Sequence, residues 1–266
     1  MKSERAKKSL GQNFLINPRI RQRIIQACEL SKDDVVLEIG PGKGALTFAI
    51  APCVKAVFAI EKDDRLAQEL RERFSGTNVT VIHADVLEYP FDLLPDGIKV
   101  IGNLPYNITT PIIEKVFQYQ WKFPVFYMTV QLEYGNRMTA GPDSKNYGSL
   151  SCFVQYHADA KRIFRIPNTA FRPVPKVQSC FICLRIRKKP EYSVDADLLF
   201  KVIRACFNQR RKIIMNSLAR VIPKEKLAGV LHAAGIDPCV RAEELGLADY
   251  ARLTGKIKDF DGESLG

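Results

Sequence analysis

The sequence contains no uncharged apolar run of the roughly 18–20 residues that cross a bilayer. Its first residues are rich in lysine and arginine and contain no apolar signal core, so we expect a cytoplasmic protein that is neither secreted nor bound to a membrane. The 7 cysteines are an odd number scattered along 266 residues, which favours a reducing compartment over a disulfide framework. Internal repeats and low-complexity stretches are also absent, so the chain has the composition of a globular protein.

Residues that could bind a metal are also sparse. Cys180 and Cys183 have the spacing of a ligand pair, but no second pair lies near them, and positions three apart in a strand face opposite sides. The 3 histidines have no matching partner set. We therefore expect no metal site.

Positive charge, in contrast, is in excess. The 40 lysines and arginines against 29 acidic residues give a net charge of +11. Basic residues outnumber acidic ones by 7 to 1 in residues 1–23, by 9 to 0 in 161–190 and by 8 to 1 in 201–226, whereas residues 31–120 have 9 basic and 13 acidic. A solvated surface explains any one basic segment, but three of them around an acidic middle indicate a polyanion-binding surface beside a differently charged core.

Apolar strands alternate with amphipathic helices in the first half of the chain. The pattern predicts strands at residues 35–39, 56–60, 79–82, 98–101 and 123–130, with helices from Asn17 to Cys28 and over 45–51, 63–74 and 110–117. Strands and helices that alternate in this way form a mostly parallel sheet covered on both faces, so we predict an α/β fold.

The pattern changes in the second half. Residues 160–166 and 179–187 alternate apolar and polar positions, which predicts an antiparallel hairpin at the end of the sheet. The proline loop between them (residues 171–176, FRPVPK) is expected to be neither strand nor helix interior. Residues 150–156 fit a helix or a strand equally well.

From Asp195 onward the spacing of apolar residues is helical, and the last helix is predicted over 243–253. We therefore predict two domains: residues 1–189, with the sheet and a basic N-terminal segment, and residues 190–266, which are small and all-helical.

The first predicted strand ends in a glycine-rich loop, EIGPGKGAL at residues 38–46. Gly40, Gly42 and Ala45 match the dinucleotide-binding pattern, and Glu61 follows Gly42 by 19 residues, at the place of a ribose-binding acid. A nicotinamide- or flavin-dependent dehydrogenase is therefore one interpretation. The same loop also has the form E-x-G-x-G-x-G, which suits S-adenosylmethionine, so both ligands remain open at this point.

Two later strand ends favour the second ligand. Asp85 ends the third strand, where its carboxylate can accept from an adenine amine, with Val86 beside the ring. Residues 103–106 (NLPY) end the fourth strand. Because ligands of open parallel sheets bind at the carboxyl ends of the strands, we expect these residues to converge with Gly40 and Glu61 in one crevice.

Residues 103–106 suit chemistry at an adenine amine, whose lone pair is conjugated with the ring. The amide oxygen of Asn103 and a backbone carbonyl of Leu104 or Pro105 can accept its hydrogens and free the lone pair, so that catalysis consists of positioning and electrostatics. A base taken out of its stack also needs an aromatic surface. Tyr106 offers one face for it, and Phe171, in the proline loop, offers the other.

Six stretches together resemble the ribosomal RNA adenine N6-dimethyltransferase family, in the order that the family has them. They are KSLGQNFL (8–15), EIGPGKGAL (38–46), GNLPYNI (102–108), FRPVPKV (171–177), FNQRRK (207–212) and RAEEL (241–245), of which the last two resemble the branch that acts on small-subunit rRNA. The resemblance covers nearly the whole chain. It departs at Tyr134-Gly135, where the family pattern leads us to expect a charged, helix-forming stretch.

The resemblance implies a Rossmann-like methyltransferase domain followed by a helical, RNA- or ribosome-binding domain. It implies that a monomer transfers two methyl groups from S-adenosylmethionine, released as S-adenosylhomocysteine, to each of two adjacent adenosines. These adenosines would lie near the 3′ end of 16S rRNA in the assembling 30S subunit. A macrolide-resistance type 23S rRNA methyltransferase and a non-catalytic RNA-binding assembly factor are the alternatives.

Matching positions give each candidate residue its expected role. The cofactor would contact Gln12, Asn13, Leu15, Gly40, Gly42, Glu61, Lys62, Asp85, Val86 and Asn103. The catalytic set would be Asn103, Leu104, Pro105, Tyr106 and Phe171. The RNA would contact Arg172, Lys176, Arg204, Arg210, Arg211 and Lys212.

Overall fold

A computed structural model describes residues 13–210, 212–219 and 221–262. In chain order its elements are β1 (Phe14–Leu15), α1 (Pro18–Ala27), β2 (Val35–Ile39), α2 (Thr47–Ile50), β3 (Ala56–Glu61), α3 (Asp64–Arg73), β4 (Val79–His83), β5 (Lys99–Asn103), α4 (Thr109–Gln118), β6 (Val125–Gln131), α5 (Leu132–Met138), α6 (Ser149–His157), β7 (Ala158–Ile166), β8 (Phe171–Arg172), β9 (Ser179–Ile186), α7 (Ala196–Phe207), α8 (Ile214–Leu218), α9 (Lys224–Ala233) and α10 (Leu247–Gly262). They belong to two units: one extends to Gly135 and includes Asp159–Lys189, and the other contains Asn136–Ala158 and the chain from Pro190.

The larger sheet lies in the first unit, with its described strands in the order β4-β3-β2-β5-β6-β9-β7. Strand β2 pairs in parallel with β3 and β5, β3 with β4, and β5 with β6, whereas β9 pairs antiparallel with β6. Strands β2, β5 and β6 are buried along most of their length, as expected for a sheet covered on both faces. The predicted α/β fold with a parallel sheet and a terminal antiparallel hairpin is confirmed.

Local hydrogen bonds set where the first helices begin. The side chain of Asn17 accepts from the N–H groups of Arg19 and Ile20 at 3.0 and 3.1 Å, and Pro18 occupies the first helical position, so α1 begins where the sequence predicts. Asp63 caps α3 in the same way, two residues after β3 ends at Glu61. The short link fixes the end of β3 against the start of a helix.

Strands β1 and β8 form a separate two-stranded pair, in which Phe14 lies opposite Arg172 and Leu15 opposite Phe171. The backbone N–H of Ile16 also donates to the carbonyl of Ala170, at 2.9 Å. The expectation that the proline loop has no strand is therefore wrong for its first two residues. Their partner is the chain just before α1, which local sequence patterns do not reveal.

Helix bounds also differ from the prediction at three places. Helix α2 is shorter than the predicted residues 45–51 because the glycine loop takes up its first turn. The last helix, predicted over 243–253, runs over Leu247–Gly262 and follows a 3₁₀ turn at Ala242–Glu244. Helix α5 continues through the departure at residues 134–135. Glycine is required there because a Cβ on Gly135 would collide with Sγ of Cys180.

The second unit is helical in its described part, and residues 150–156 form part of its helix α6. Cys152 and Tyr156 of this helix lie in the same buried cluster as Leu199, Val202 and Ile203 of α7. The two units also divide between Lys189 and Pro190, but they differ from the predicted domains because residues 136–158 belong with the C-terminal helices. Among the described residues, no helix is both long and apolar enough to span a membrane.

Candidate active site

A cavity opens at the carboxyl ends of β2, β3, β4 and β5, the edge of a parallel sheet where ligands bind. The predicted residues that line it are Asn13, Leu15, Gly40, Gly42, Glu61, Lys62, Asp85, Val86, Asn103, Leu104, Pro105 and Tyr106. Phe171 is not among the lining residues. Gln12 lies outside the described residues. Residues that are far apart in sequence therefore meet at one site.

The glycine loop forms one wall of the cavity and has a backbone that suits glycine. Gly40, Gly42 and Gly44 have φ values of 68°, 58° and 78°, a region that residues with a Cβ rarely occupy. A Cβ on Gly42 would lie only 3.0 Å from the ring of Phe14. The chain before α1 therefore packs directly onto the glycine loop beside the cavity.

Glu61 connects this loop to the end of β3. Its side chain is buried, with 5% exposed, and its two oxygens accept from the N–H groups of Gly42 and Asp63, each at 2.9 Å. Burial raises the pKa of Glu61, against the effect of these hydrogen bonds. Because each carboxylate oxygen accepts more than one hydrogen bond, Glu61 keeps acceptor capacity toward the cavity.

Glu38 was not predicted as a site residue, although it is the first residue of the glycine motif. It lines the cavity, is 1% exposed, and its Oε2 has no hydrogen-bond partner among the described residues. Burial, together with the negative charge of Glu61, raises the pKa of Glu38 to about 7, against the opposing effect of hydrogen bonding from Thr47. A buried carboxylate oxygen without a hydrogen-bond partner is costly, so this wall suits a ligand that carries a positive charge.

Asp85 lies on the other side of the cavity, where the chain leaves β4. Its oxygens accept from the N–H of Leu87 at 2.9 Å and from Nζ of Lys62 at 2.5 Å. Burial alone would raise the pKa of Asp85, but these two bonds hold it below the usual value. Asp85 is therefore ionised at neutral pH and can accept a hydrogen bond from a ligand amine.

The loop after Asp85 is fixed by Lys115, which sequence reasoning missed. Its ammonium on α4 donates to the carbonyls of Leu87 and Tyr89 at 2.8 and 2.7 Å, and it lies 4.8 Å from the centre of the Phe91 ring. A lone lysine in a helix gives no local signal for this role, because both acceptors are backbone atoms of another segment.

The amide of Asn103 has a defined orientation at the end of β5. Its Nδ2 donates to the backbone carbonyl of Asn13 at 2.8 Å. Because only the amide nitrogen can donate to a carbonyl, this bond identifies Oδ1 as the free end of the amide. Asn103 therefore offers an acceptor, which is the group that an amine substrate needs.

The backbone after Asn103 distinguishes the two candidate carbonyls. The carbonyl of Pro105 already accepts from the N–H of Ile108 at 3.2 Å and from the hydroxyl of Thr109 at 3.1 Å. The carbonyl of Leu104 is therefore the better second acceptor. Tyr106 begins a 3₁₀ turn here, and its hydroxyl lies 2.8 Å from Oγ of Ser179.

Phe171 does not occupy the place predicted for it. Its ring is 1% exposed and lies in the core cluster that contains Leu15, Ile20 and Ile24. Because Leu15 lies opposite Phe171 in the β1–β8 pair, both side chains face the core. In this arrangement Phe171 cannot stack on a base, and the sequence-based expectation is wrong on this point.

The residues predicted to contact RNA lie in both units. Arg172 and Lys176 of the first unit are exposed, as are Arg204 and Lys212 of the second. Arg210 pairs with Glu243 at 2.8 Å and also donates to the carbonyl of Lys145, so part of its hydrogen-bonding capacity is used within its own unit. Arg211 lies outside the described residues, and among those described no group of residues could bind a metal.

Comparison with known proteins adds independent evidence. The family model described as ribosomal RNA adenine dimethylase matches residues 3–259. A ribosomal RNA small subunit methyltransferase A from Anoxybacillus flavithermus is 42% identical over 265 residues, which cover 94% of this chain and 90% of that protein. Its counterpart from Halothermothrix orenii is 40% identical over 274 residues, covering 97% and 91%.

Solved structures of similar fold agree with these matches. The crystal structure of a dimethyladenosine transferase from Plasmodium falciparum has a TM-score of 0.78 and 26% identity, and the match covers 94% of this chain and 98% of that one. The 23S rRNA methyltransferase ErmE has a TM-score of 0.72 and 28% identity, covering 92% and 100%. The similarity in both cases extends over nearly the full length of the chain.

Proposed function

Because the chain belongs to the ribosomal RNA adenine dimethylase family, and is a methyltransferase, we propose that it dimethylates the N6 amines of two adjacent adenosines. These lie in the 3′-terminal hairpin loop of 16S rRNA in the assembling small subunit. The observation that carries the proposal is the cavity. It is lined both by acidic residues, which suit a cationic methyl donor, and by the amide of Asn103, which can accept a hydrogen bond from an amine. Membership of this family decides against the dehydrogenase interpretation.

The residues around the cavity fit S-adenosylmethionine. Glu61 retains acceptor capacity for ribose hydroxyls, and Asp85 is an ionised acceptor for the adenine amine. The partnerless oxygen of Glu38 suits a cationic group of the ligand. S-adenosylmethionine supplies a methyl group on a positively charged sulfur, so the site needs no strong base.

The residues after β5 act on the target amine. With the donor bound, Oδ1 of Asn103 and the carbonyl of Leu104 would accept hydrogen bonds from the N6 amine and so make its lone pair available to the methyl group, and the proton that each methylation displaces would leave to water. Hydrogen bonds aimed at a geometry reached only in the transition state accelerate the chemical step. Asn103 is therefore a catalytic residue through its acceptor oxygen.

Tyr106 offers the aromatic surface on which the displaced adenine stacks. It lines the cavity three residues after Asn103, and its ring is half-buried. Stacking on an aromatic side chain offsets part of the cost of taking a base out of its own stack. Tyr106 and Phe171 are the two residues predicted to stack on the base. Because Phe171 is buried, Tyr106 is the one that keeps the stacking role.

The positive charges outside the cavity bind the rRNA backbone. Arg172 ends β8 and Lys176 follows it in the first unit, and Arg204 and Lys212 are exposed in the second. Phosphate contacts position an RNA without reading its sequence, so the choice of adenosine depends on the cavity. The C-terminal unit thus contributes to affinity for the rRNA and leaves chemistry to the first unit.

The proposed function is tested with labelled S-adenosylmethionine and three substrates: undermethylated small subunits, naked 16S rRNA and 23S rRNA. We expect label in two adjacent adenosines of the 16S 3′ hairpin, located by mass spectrometry of nuclease fragments. Label in 23S rRNA alone would instead indicate the macrolide-resistance type of enzyme. A protein that binds small subunits but transfers no methyl group would be an assembly factor.

Glu38 predicts that cofactor affinity depends on pH. With a pKa of about 7, its ionised fraction rises from roughly one tenth at pH 6 to roughly nine tenths at pH 8. We therefore expect the Kd for S-adenosylmethionine to fall about tenfold over this range, measured by isothermal titration calorimetry. Glu38→Gln should bind more weakly and lose this dependence, whereas Glu69→Gln on α3 should behave as the wild type. A wild-type pH profile in Glu38→Gln would refute the role.

Two exposed cations of the second unit provide a test of rRNA binding. Arg204→Gln combined with Lys212→Gln should weaken rRNA binding, and each charge removed should lower the salt dependence of binding by about one unit. Filter binding at several salt concentrations measures both quantities, with Lys256→Gln/Lys258→Gln on α10 as the matched control. Affinity for S-adenosylhomocysteine should not change, and a large loss of it would contradict the division of roles.

A further inference from the structure

A hydrogen bond connects the antiparallel end of the sheet to the proposed target site. The hydroxyl of Tyr106, which follows β5, lies 2.8 Å from Oγ of Ser179, the first residue of β9. The two residues are 73 positions apart in the sequence. Neither of the roles described above requires this contact, so it calls for its own explanation.

Ser179 is a fixed point in the structure. It is fully buried and lies opposite Gln131 at the end of the β6–β9 ladder, where every strand position from Val125 to Gln131 has a partner. The N–H of Leu132 also donates to the carbonyl of Gln178, at 2.9 Å. A buried hydroxyl on a strand paired in this way cannot move far, so its hydrogen bond restrains whatever it contacts.

Tyr106, in contrast, lies on a 3₁₀ turn beside the cavity and is only half-buried. The 3₁₀ turn and the two bonds to the carbonyl of Pro105 fix its Cα, but they do not select the orientation of the ring. A half-buried aromatic side chain next to a cavity has space for more than one rotamer. The bond to Ser179 therefore selects the direction in which the face of the ring points.

We propose that Ser179 is a positioning residue that orients the ring of Tyr106 for the target adenine; this rests on the proposed function. The ring acts through its face, and its hydroxyl serves the protein rather than the substrate. Burial raises the pKa of Tyr106, in accord with a phenol that stays protonated and donates or accepts one structural hydrogen bond. Ser179 begins β9, directly after the loop that follows β8, so this part of the chain contributes to the site through a serine rather than through Phe171.

A double-mutant cycle tests the proposal. Ser179→Ala and Tyr106→Phe each remove one partner of the bond, and each should lower kcat/KM for 16S rRNA about tenfold while the Kd for S-adenosylhomocysteine stays within twofold. Because both remove the same interaction, the double variant should be no worse than either single variant. Tyr106→Ala should lose far more activity than Tyr106→Phe, because the ring itself is gone.

A second readout does not depend on turnover. A 3′-hairpin RNA with 2-aminopurine at the first target adenosine reports stacking by its fluorescence when S-adenosylhomocysteine is present. We expect Ser179→Ala and Tyr106→Phe to change this fluorescence in the same way. Independent effects in the cycle, or a wild-type signal in Ser179→Ala, would overturn the proposal. If the wild-type protein methylated neither rRNA, the proposed function would fail instead, whatever the fluorescence of the variants.

Discussion

Replacing Asn103 by alanine is expected to lower methyl transfer by roughly 10²–10³-fold, the cost of removing one preorganised hydrogen-bonding group from an active site. The amide nitrogen is bound to the carbonyl of Asn13, so the lost atom on the substrate side is the acceptor oxygen. Initial rates on 16S rRNA with saturating donor measure the effect. Binding of rRNA, measured in parallel, should remain within a few-fold of the wild type.

The matched control is Asn107→Ala, four residues further along and exposed. It removes the same chemical group from the same loop, and we expect near-normal rates. Asn103→Asp separates geometry from charge, because it keeps an acceptor but cannot donate to Asn13 when ionised. An Asn103→Ala enzyme that retains more than a tenth of the wild-type rate would remove Asn103 from the chemistry.

Replacing Glu61 by glutamine is expected to weaken binding of S-adenosylhomocysteine roughly 100-fold. Both carboxylate oxygens accept from backbone N–H groups, of Gly42 and of Asp63. Glutamine has a single acceptor oxygen, so its NH₂ group must face one of these donors and displace the glycine loop or the start of α3. The variant therefore disturbs the cavity wall as well as the contact to the ligand.

Calorimetric titration of S-adenosylhomocysteine measures this loss, with Glu69→Gln on α3, a half-buried carboxylate paired with Arg65, as the control. Affinity for rRNA should change little, because Glu61 is buried at the cavity. A Glu61→Gln variant with wild-type affinity for the ligand would show that the cavity does not bind the donor.

The sequence predicted the parts of the site that follow from sheet geometry. Gly40, Glu61, Asp85 and Asn103 each end or follow a strand, and parallel strands bring their carboxyl ends to one edge. These residues line the cavity as expected. No knowledge of side-chain packing was needed to place them together.

The prediction failed where a residue's environment depends on a distant segment. Phe171 appeared available for stacking because its loop is rich in proline, but the pairing of β1 with β8 turns its ring into the core. The role of Ser179 is equally hidden, since its partner Tyr106 lies on a turn 73 residues away in the sequence. At position 135 a glycine stands where a helix-forming residue is expected, because Cys180 leaves no space for a Cβ.

Glu38 illustrates a different limit of prediction from sequence. Its place in the glycine motif is visible in the sequence, but its lack of a hydrogen-bond partner for one oxygen is not. Burial without a partner disfavours the charged form, and a cationic ligand restores it. The net charge of +11 is therefore only half of the electrostatic account, because the proposed function needs exposed cations for the rRNA and a buried carboxylate for the donor.

The most direct test of the central claim is a crystal structure of the protein with S-adenosylhomocysteine. We expect the ligand in the cavity at the carboxyl ends of β2 to β5, with the ribose hydroxyls within hydrogen-bond distance of Glu61 and the adenine amine within that distance of Asp85. A ligand bound elsewhere, or bound in this cavity without contact to either carboxylate, would contradict the account.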